Sequence, residues 1–303
     1  MKAIEIQALT KLYGKSRGVE NLSFSIEAGE VFGYLGPNGS GKTTTIRCLM
    51  GLLRPTSGFC RIFDQKIIPG LATQHRDIGY LPGDFRLWSG RTVRQSLKLM
   101  AALGKAKNTR KKREELAEKL NLNMDRPFGA LSKGNRQKVG IVNAFQHQPK
   151  LYILDEPTIG LDPLIRMVVL DLIREVTNEG ATVLLSSHDL SEVVAACRRA
   201  AILRDGRLVE LSPISKIIHE GTQQLKIWFI EGSESPSIQT TLPDGVKIIQ
   251  QDGDWVLLSY SGAADRVMKW LAQFPIDRIT TPETTLEDAF IHYYKKQEAD
   301  YEN

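Results

Sequence analysis

The first feature of the chain able to do chemistry is a lysine that closes a glycine-rich run. In the stretch YLGPNGSGKTTTIRCL, residues 34–49, an apolar segment leads through Gly36, Pro37, Asn38, Gly39, Ser40 and Gly41 into Lys42, Thr43 and Thr44. Glycine in such a loop costs backbone entropy, so something must need the bare backbone there. A group that comes within hydrogen-bonding distance of consecutive N–H groups, at the positive end of a helix, is most often a phosphate. Gly36, Gly41, Lys42 and Thr43 fill every required position of the P-loop pattern G-x-x-x-x-G-K-[ST]. In that pattern the N–H groups around Gly39, Ser40 and Gly41 cradle phosphates. Lys42 reaches the β and γ oxygens, and the Thr43 hydroxyl ligates Mg²⁺.

A P-loop needs a carboxylate for its metal and a group that orients the attacking water. The stretch LYILDEPTIGLD, residues 151–162, offers both. Its apolar run ends at Asp155, at the carboxyl end of an expected strand and suited to Mg²⁺, and Glu156 beside it is suited to act as general base on water. Two acids ending a buried strand are costly unless a cation or hydrogen bonds satisfy them. The plainer alternative is a pair of acids opening a turn before Pro157.

The elements that must position these residues follow from periodicity. Short apolar runs predict strands at 2–8, 20–27, 30–35, 59–63, 77–81, 151–154, 182–186, 199–203 and 206–210. Residues 43–53 carry the helix period and should stop near Pro55, and residues 92–147 form an almost purely helical insertion. From 222 the pattern changes to strands in QLKIWFI, VKIIQ and WVLLSY, then a helix with Val267, Leu271 and Phe274 on one face, a strand at 276–280 and a last helix. That last helix starts with a capping box, Thr284 and Glu287, and carries Leu286, Phe290 and Tyr293 on one side. EGSESPS at 231–237 and PDG at 243–245 are its loops. The expected fold is α/β, a P-loop NTPase domain over 1–215 with a helical subdomain at about 92–147, followed by a small α+β domain over 222–303.

Composition bounds the function. At 303 residues with 42% hydrophobic and 25% charged residues, the chain reads as a globular protein of two ordinary domains. A net charge of +5 allows association with an anionic membrane surface but is too small to argue for nucleic acid, so no nucleic-acid partner is expected. The densest basic run, KAKNTRKKREELAEKL at 105–120, reads either as a solvated surface helix with i,i+4 ion pairs or as an electrostatic docking face. Cys48, Cys60 and Cys197 make no C-x-x-C pair, which points to neither zinc nor a disulfide framework and fits a reducing cytoplasm. The N-terminal stretch lacks the apolar core of a signal peptide, and no window approaches 18 uninterrupted apolar residues. Any membrane role is therefore expected to come through a partner.

With both motifs in view, the chain over about residues 1–215 resembles an ABC-type ATPase, the nucleotide-binding subunit of an ATP-binding-cassette transporter. LSKGNRQKV, 131–139, resembles the family's LSGGQ signature. The resemblance implies that Ser132, Gly134 and Asn135 open a helix whose N-terminus faces the γ-phosphate of the nucleotide on the opposite subunit. LLSSHDL, 184–190, resembles the switch segment and implies that His188 touches the γ-phosphate. Asp162 of IGLD matches the loop that meets the partner's P-loop, and Tyr13 of LTKLYGK matches the aromatic that stacks on adenine. Stacking of that kind discriminates weakly between ATP and GTP.

Two departures from the family pattern stand out. Gly83, followed by Asp84, occupies the usual glutamine position in IGYLPGDFRLW; either Asp84 takes that role or the water is held by other groups. The signature has Lys133 for a glycine and Asn135 for a glutamine. These features and the C-terminal TTLEDAFIHYY resemble ABC ATPases of exporters of drugs, antibiotics or peptides whose membrane subunit is a separate chain. The resemblance thus implies an Mg-ATPase that dimerises, most simply with a second copy, around two ATP and drives an integral membrane permease from the cytoplasmic face of the cell membrane. Two alternatives stay open at this point: a soluble ABC-type regulator without transport, and a nucleotide-binding module without turnover.

Overall fold

The computed structural model describes residues 1–14, 16–71, 75, 77–106, 108–220, 223–230, 242–260 and 264–282. Alternating burial builds the first sheet. β1 (Lys2–Tyr13) and β2 (Ser16–Glu27) pair antiparallel, and β4 (Ser57–Ile62) and β5 (Gln65–Lys66) complete a four-stranded sheet in the order β2-β1-β4-β5. β1 and β2 both run further than the apolar alternation marks. The added residues Leu9 to Tyr13 pair with Leu22 to Ser16 across a hairpin, and ladder hydrogen bonds extend strands where the side-chain pattern has faded.

Continuous apolar runs build the second sheet. β3 (Val31–Leu35), β6 (Ile78–Leu81), β7 (Leu151–Asp155), β8 (Thr182–Ser187), β9 (Arg199–Arg204) and β10 (Arg207–Pro213) are ordered β10-β9-β3-β8-β7-β6. The pairs β3/β8, β3/β9, β7/β8 and β6/β7 are parallel, and every residue of β3, β7 and β8 is buried. Strands covered on both faces read as unbroken hydrophobic runs, which is why three of them were plain in the sequence. Their carboxyl ends carry the glycine-rich loop, the Asp155–Glu156 pair and His188, the edge where open α/β sheets bind ligands.

Among the described residues the helices up to residue 220 are α1 (Lys42–Leu49), α2 (Val93–Leu103), α3 (Thr109–Lys119), α4 (Lys133–Phe145), α5 (Pro163–Asn178), α6 (Leu190–Ala196) and α7 (Ile214–Glu220). α1 ends earlier than expected, and Pro55 is not the cause. Gly51 takes φ +59°, and the N–H groups of Leu52 and Leu53 turn back to the Arg47 carbonyl. The helical insertion contains α2, α3, α4 and a 3-10 turn at Phe128–Ala130, with a capping box from Thr92 and Gln95 starting α2. Its basic stretch is a surface helix in which Lys112 and Lys119 pair with Glu115, and Lys119 also with Glu175. Arg113 departs from that reading. It is buried, with Gln146 and Thr109 as its hydrogen-bond acceptors.

Residues 1–188 and 192–211 cluster as one unit and the remainder as a second. In the second unit β11 (Gln223–Phe229), β12 (Val246–Asp252), β13 (Trp255–Tyr260) and β14 (Ile276–Thr280) form an antiparallel sheet ordered β12-β13-β11-β14. Leu225, Ile227, Val256 and Leu258 pack against Val267, Trp270 and Leu271 of α8 (Ala264–Leu271). Phe274, expected on that helix, lies beyond its end and meets the Trp270 ring edge-on. PDG forms a turn with Gly245 at φ +84°. The 231–237 loop and the last helix, with Leu286, Phe290 and Tyr293, lie outside the described residues.

Candidate active site

The glycine-rich loop joins β3 to α1 and can take its path only without side chains. Gly41 caps α1 at φ +104°, where an added Cβ would lie 2.6 Å from the Gly18 carbonyl oxygen. The loop is braced by Ser40, whose N–H donates to the Pro37 carbonyl at 3.1 Å and whose own carbonyl accepts from Gly206 N–H at 3.0 Å. The Ser40 hydroxyl is buried and finds no hydrogen-bond partner among the described residues. Lys42, only 5% exposed, folds back over the loop. Its Nζ donates to the Gly36 carbonyl at 2.5 Å and the Pro37 carbonyl at 3.4 Å, and sits 3.2 Å from Glu156 Oε1.

Glu156 and Asp155 occupy opposite environments. Asp155, 0% exposed, accepts from Thr43 Oγ1 at 2.9 Å through Oδ2 and from Ser186 Oγ at 2.6 Å through Oδ1. Burial foremost, then the negative charge of Asp155, pushes the nearby Tyr80 phenol up to about 12. Glu156 stands in the left-handed region at φ +53°, a costly conformation for a residue with a side chain. Side chains of Ser186 and Gln137 help to hold it there. Its N–H donates to Ser186 Oγ at 3.1 Å, and its carbonyl accepts from Gln137 Nε2 at 2.9 Å. So aimed, its Oε2 lies 2.6 Å from His188 Nδ1, while Oε1 lies 3.2 Å from Lys42 Nζ. The result is a chain of groups, Thr43–Asp155 and Lys42–Glu156–His188, at one edge of a pocket of about 250 Å³. Tyr13, Pro37, Asn38, Gly39 and Thr44 line the same pocket. The half-exposed Tyr13 ring lies against Gly18, and its hydroxyl is 3.4 Å from Thr44 Oγ1.

The signature residues form a second group that does not line this pocket. Ser132 caps α4, its hydroxyl accepting from Asn135 N–H at 3.3 Å, and a Cβ on Gly134 would lie 2.6 Å from the Gly160 carbonyl oxygen. Asp162 caps α5 by accepting from Ile165 N–H at 3.0 Å. Asp84 is 70% exposed and ion-paired with Arg86 at 2.7 Å, so its carboxylate is held below the usual range by that guanidinium first, with smaller help from Lys133 and Arg136 of the signature segment. A Cβ on Gly83 would touch Asp155 Oδ2 at an ordinary 3.4 Å, which leaves room for a side chain beside the carboxylate.

Known proteins share this arrangement. A family model described as ABC transporter matches residues 19–159. The bacitracin transport ATP-binding protein BcrA of Bacillus licheniformis is 32% identical over 296 residues, covering 95% of this chain and 96% of that protein. The chain belongs to the ABC transporter ATP-binding family. A Nod factor export ATP-binding protein I from Neorhizobium galegae is 31% identical over 95% of this chain and 84% of its own length. The SkfA peptide export ATP-binding protein SkfE of Bacillus subtilis is 35% identical over 69% of this chain and 89% of its own. Among solved structures, an ATP-binding subunit of an ABC transporter superposes with a TM-score of 0.66 at 33% identity over 71% of this chain and 91% of that one. The dimeric cassette MJ0796, bound to ADP and Pi in a post-hydrolysis state, superposes with a TM-score of 0.64 at 25% identity over 70% of this chain and 98% of that one. As an ABC cassette the chain binds ATP and is an ATPase, and its fold is the P-loop α/β fold expected from the motifs.

Three of the ABC site's supporting residues were not singled out in the sequence. Ser186 and Gln137 fix Glu156, and Glu192, buried on α6, accepts from the hydroxyls of Thr158 and Ser187. The only trace of them is that each is polar inside an otherwise apolar or helical run.

Proposed function

We propose that the chain is the ATP-hydrolysing subunit of an exporter, working as a dimer of such subunits on a separate membrane permease. The observation that supports it best is the chain of contacts among Lys42, Glu156 and His188 beside the Thr43–Asp155 pair, all at the carboxyl edge of one parallel sheet. In this reading the loop N–H groups and Lys42 bind the β- and γ-phosphates. Glu156 takes the proton of the attacking water, and His188 orients Glu156 through Oε2 and turns its other nitrogen toward the γ-phosphate. Tyr13 stacks on the base.

The residues also suit Mg²⁺. A hydroxyl and a fully buried carboxylate 2.9 Å apart are hard oxygen donors, and among the described residues the hydrogen-bond partners of Asp155 are the hydroxyls of Thr43 and Ser186. Among the described residues no cluster of three His, Cys, Asp or Glu side chains could hold a metal alone, which agrees with a cation that keeps water and phosphate as its other ligands. Thr43 and Asp155 would hold it, and it would neutralise charge on the β- and γ-oxygens.

Ser132, Gly134, Asn135 and Asp162 do not line the Lys42 pocket, which favours a head-to-tail dimer in which they serve the nucleotide of the partner copy. Among the described residues no helix is long and apolar enough to cross a membrane, in keeping with a peripheral place on the cytoplasmic face beside a permease. The relatives named for bacitracin, Nod factor and SkfA peptide favour an antibiotic, a peptide or another small amphipathic compound as cargo. We assign residues 1–215 to the ATPase domain and 222–303 to an accessory domain. Lys42→Ala tests the site: steady-state phosphate release should vanish, because Lys42 is the cation the loop aims at the phosphates, and unchanged turnover would remove the loop from the mechanism.

A further inference from the structure

Glu192 is a buried carboxylate that none of the steps above uses. It is 7% exposed, in the first turn of α6, and its side chain makes two hydrogen bonds. One oxygen accepts from Thr158 Oγ1 and the other from Ser187 Oγ at 2.8 Å. Among the described residues its partners are these two hydroxyls and no cation, an expensive arrangement unless the bonds themselves are needed. Their ends explain the need. Thr158 lies two residues after Glu156 and four before Asp162, and is itself buried. Ser187 is the last residue of β8, directly before His188. The two segments that carry Glu156 and His188 thus meet through one side chain.

We propose that Glu192 is a positioning residue for hydrolysis, clamping the Glu156–Asp162 segment to the end of β8 so that His188 Nδ1 stays on Glu156 Oε2. A carboxylate suits this task because it is acceptor-only. It fixes both hydroxyls as donors, and bonds to an ionised acceptor are about twice as strong as neutral ones. Glu156 already occupies a strained backbone conformation, so the segment after it is one that would relax if released. The inference rests on the roles proposed for Glu156 and His188.

The experiment compares Glu192→Ala, Glu192→Gln, Thr158→Val and Ser187→Ala in the full-length chain, reading steady-state phosphate release, ATP affinity and the melting temperature. Glutamine can accept from one hydroxyl and donate to the other, so it keeps both contacts without the charge. Glu192→Ala should lower kcat by about 10- to 100-fold, the scale of a misplaced catalytic group, with ATP affinity held within about twofold. Glu192→Gln should restore most of the turnover. Thr158→Val and Ser187→Ala should each lower kcat and add little to Glu192→Ala, as members of one network do. An unchanged kcat in Glu192→Ala, or a Glu192→Gln variant as slow as the alanine variant, overturns the proposal. If the alanine variant does not fold, the milder Thr158→Val and Ser187→Ala variants decide by the same readouts. Parallel Glu156→Gln and His188→Ala variants separate the two ideas: loss of turnover in those with none in the Glu192 series sinks only the clamp, and full turnover in those sinks the assigned roles themselves.

Discussion

Ser186→Ala removes the atom on which both acids of the site lean. Ser186 Oγ donates to Asp155 Oδ1 at 2.6 Å and accepts from Glu156 N–H at 3.1 Å. The second loss is covered, because the same N–H lies 3.2 Å from the Ser186 carbonyl oxygen. The first is not covered: Asp155 is 0% exposed, so no water can replace the hydroxyl, and only Thr43 remains on its other oxygen. The expected cost is that of one buried hydrogen bond to a charged group, about 1.5–3 kcal/mol. For a unit of this size that corresponds to a fall in Tm of about 3–12 °C. Calorimetric melting of the nucleotide-free protein measures it. A cycle with Thr43→Val sharpens the test, since the double variant strips Asp155 of both hydroxyls and should show a coupling of at least about 0.5 kcal/mol. A Ser186→Ala variant within about 0.5 kcal/mol of the parent, the scale of an uneventful surface change, would refute the reasoning that these hydroxyls offset the burial of Asp155.

Two further expectations concern the departure from the family pattern and the pH response. Asp84→Ala should change turnover by less than about threefold, because an exposed carboxylate paired with Arg86 contributes little, whereas Gly83→Gln places an amide beside Asp155 and should alter turnover more; a large loss in Asp84→Ala measured by phosphate release would contradict the geometry. Burial holds the folded-state pKa of His147 below 6.5, outweighing the lift from its contact with the Ile78 carbonyl and from Asp77. The unfolded chain therefore takes up that proton first as pH falls, so this group's stabilisation, complete above about 6.5, is lost at up to about 1.4 kcal/mol per pH unit below it. Denaturant melts of His147→Gln between pH 7 and 5 should show a flatter decline than the parent, and parallel curves would exclude His147 as the group responsible.

What could be read from the sequence was what lies close together in the chain. Lys42 and Thr43 sit inside one motif, Asp155 and Glu156 end one apolar run, and His188 follows another, so each was legible with its strand. The residues that hold these groups in place were not legible, because their contacts cross 19 to 34 positions: Gln137 to Glu156, Ser186 to Asp155 and Glu192 to Thr158. A serine in a strand or a glutamine in a helix carries no local mark of its partner. The reach of the hairpin formed by β1 and β2 was hidden for a similar reason, since backbone pairing supports it after apolar alternation ends. Arg113 misleads in the opposite sense. Its neighbours Lys111 and Lys112 suggest a wholly solvated face, yet helical spacing turns this one cation inward. Asp84 stood next to the missing glutamine, but Arg86 two residues on claims its carboxylate.

The most direct test of the account is phosphate release by Glu156→Gln at saturating Mg-ATP, with ATP binding measured on the same sample. Glutamine keeps the shape of Glu156 and a contact for His188 but cannot take a proton from water. ATP binding should survive while turnover falls by about 10²- to 10⁴-fold, the contribution typical of a general base. Turnover equal to that of the parent, with ATP still bound, would contradict the assignment of Glu156 as the base on which the whole site is organised.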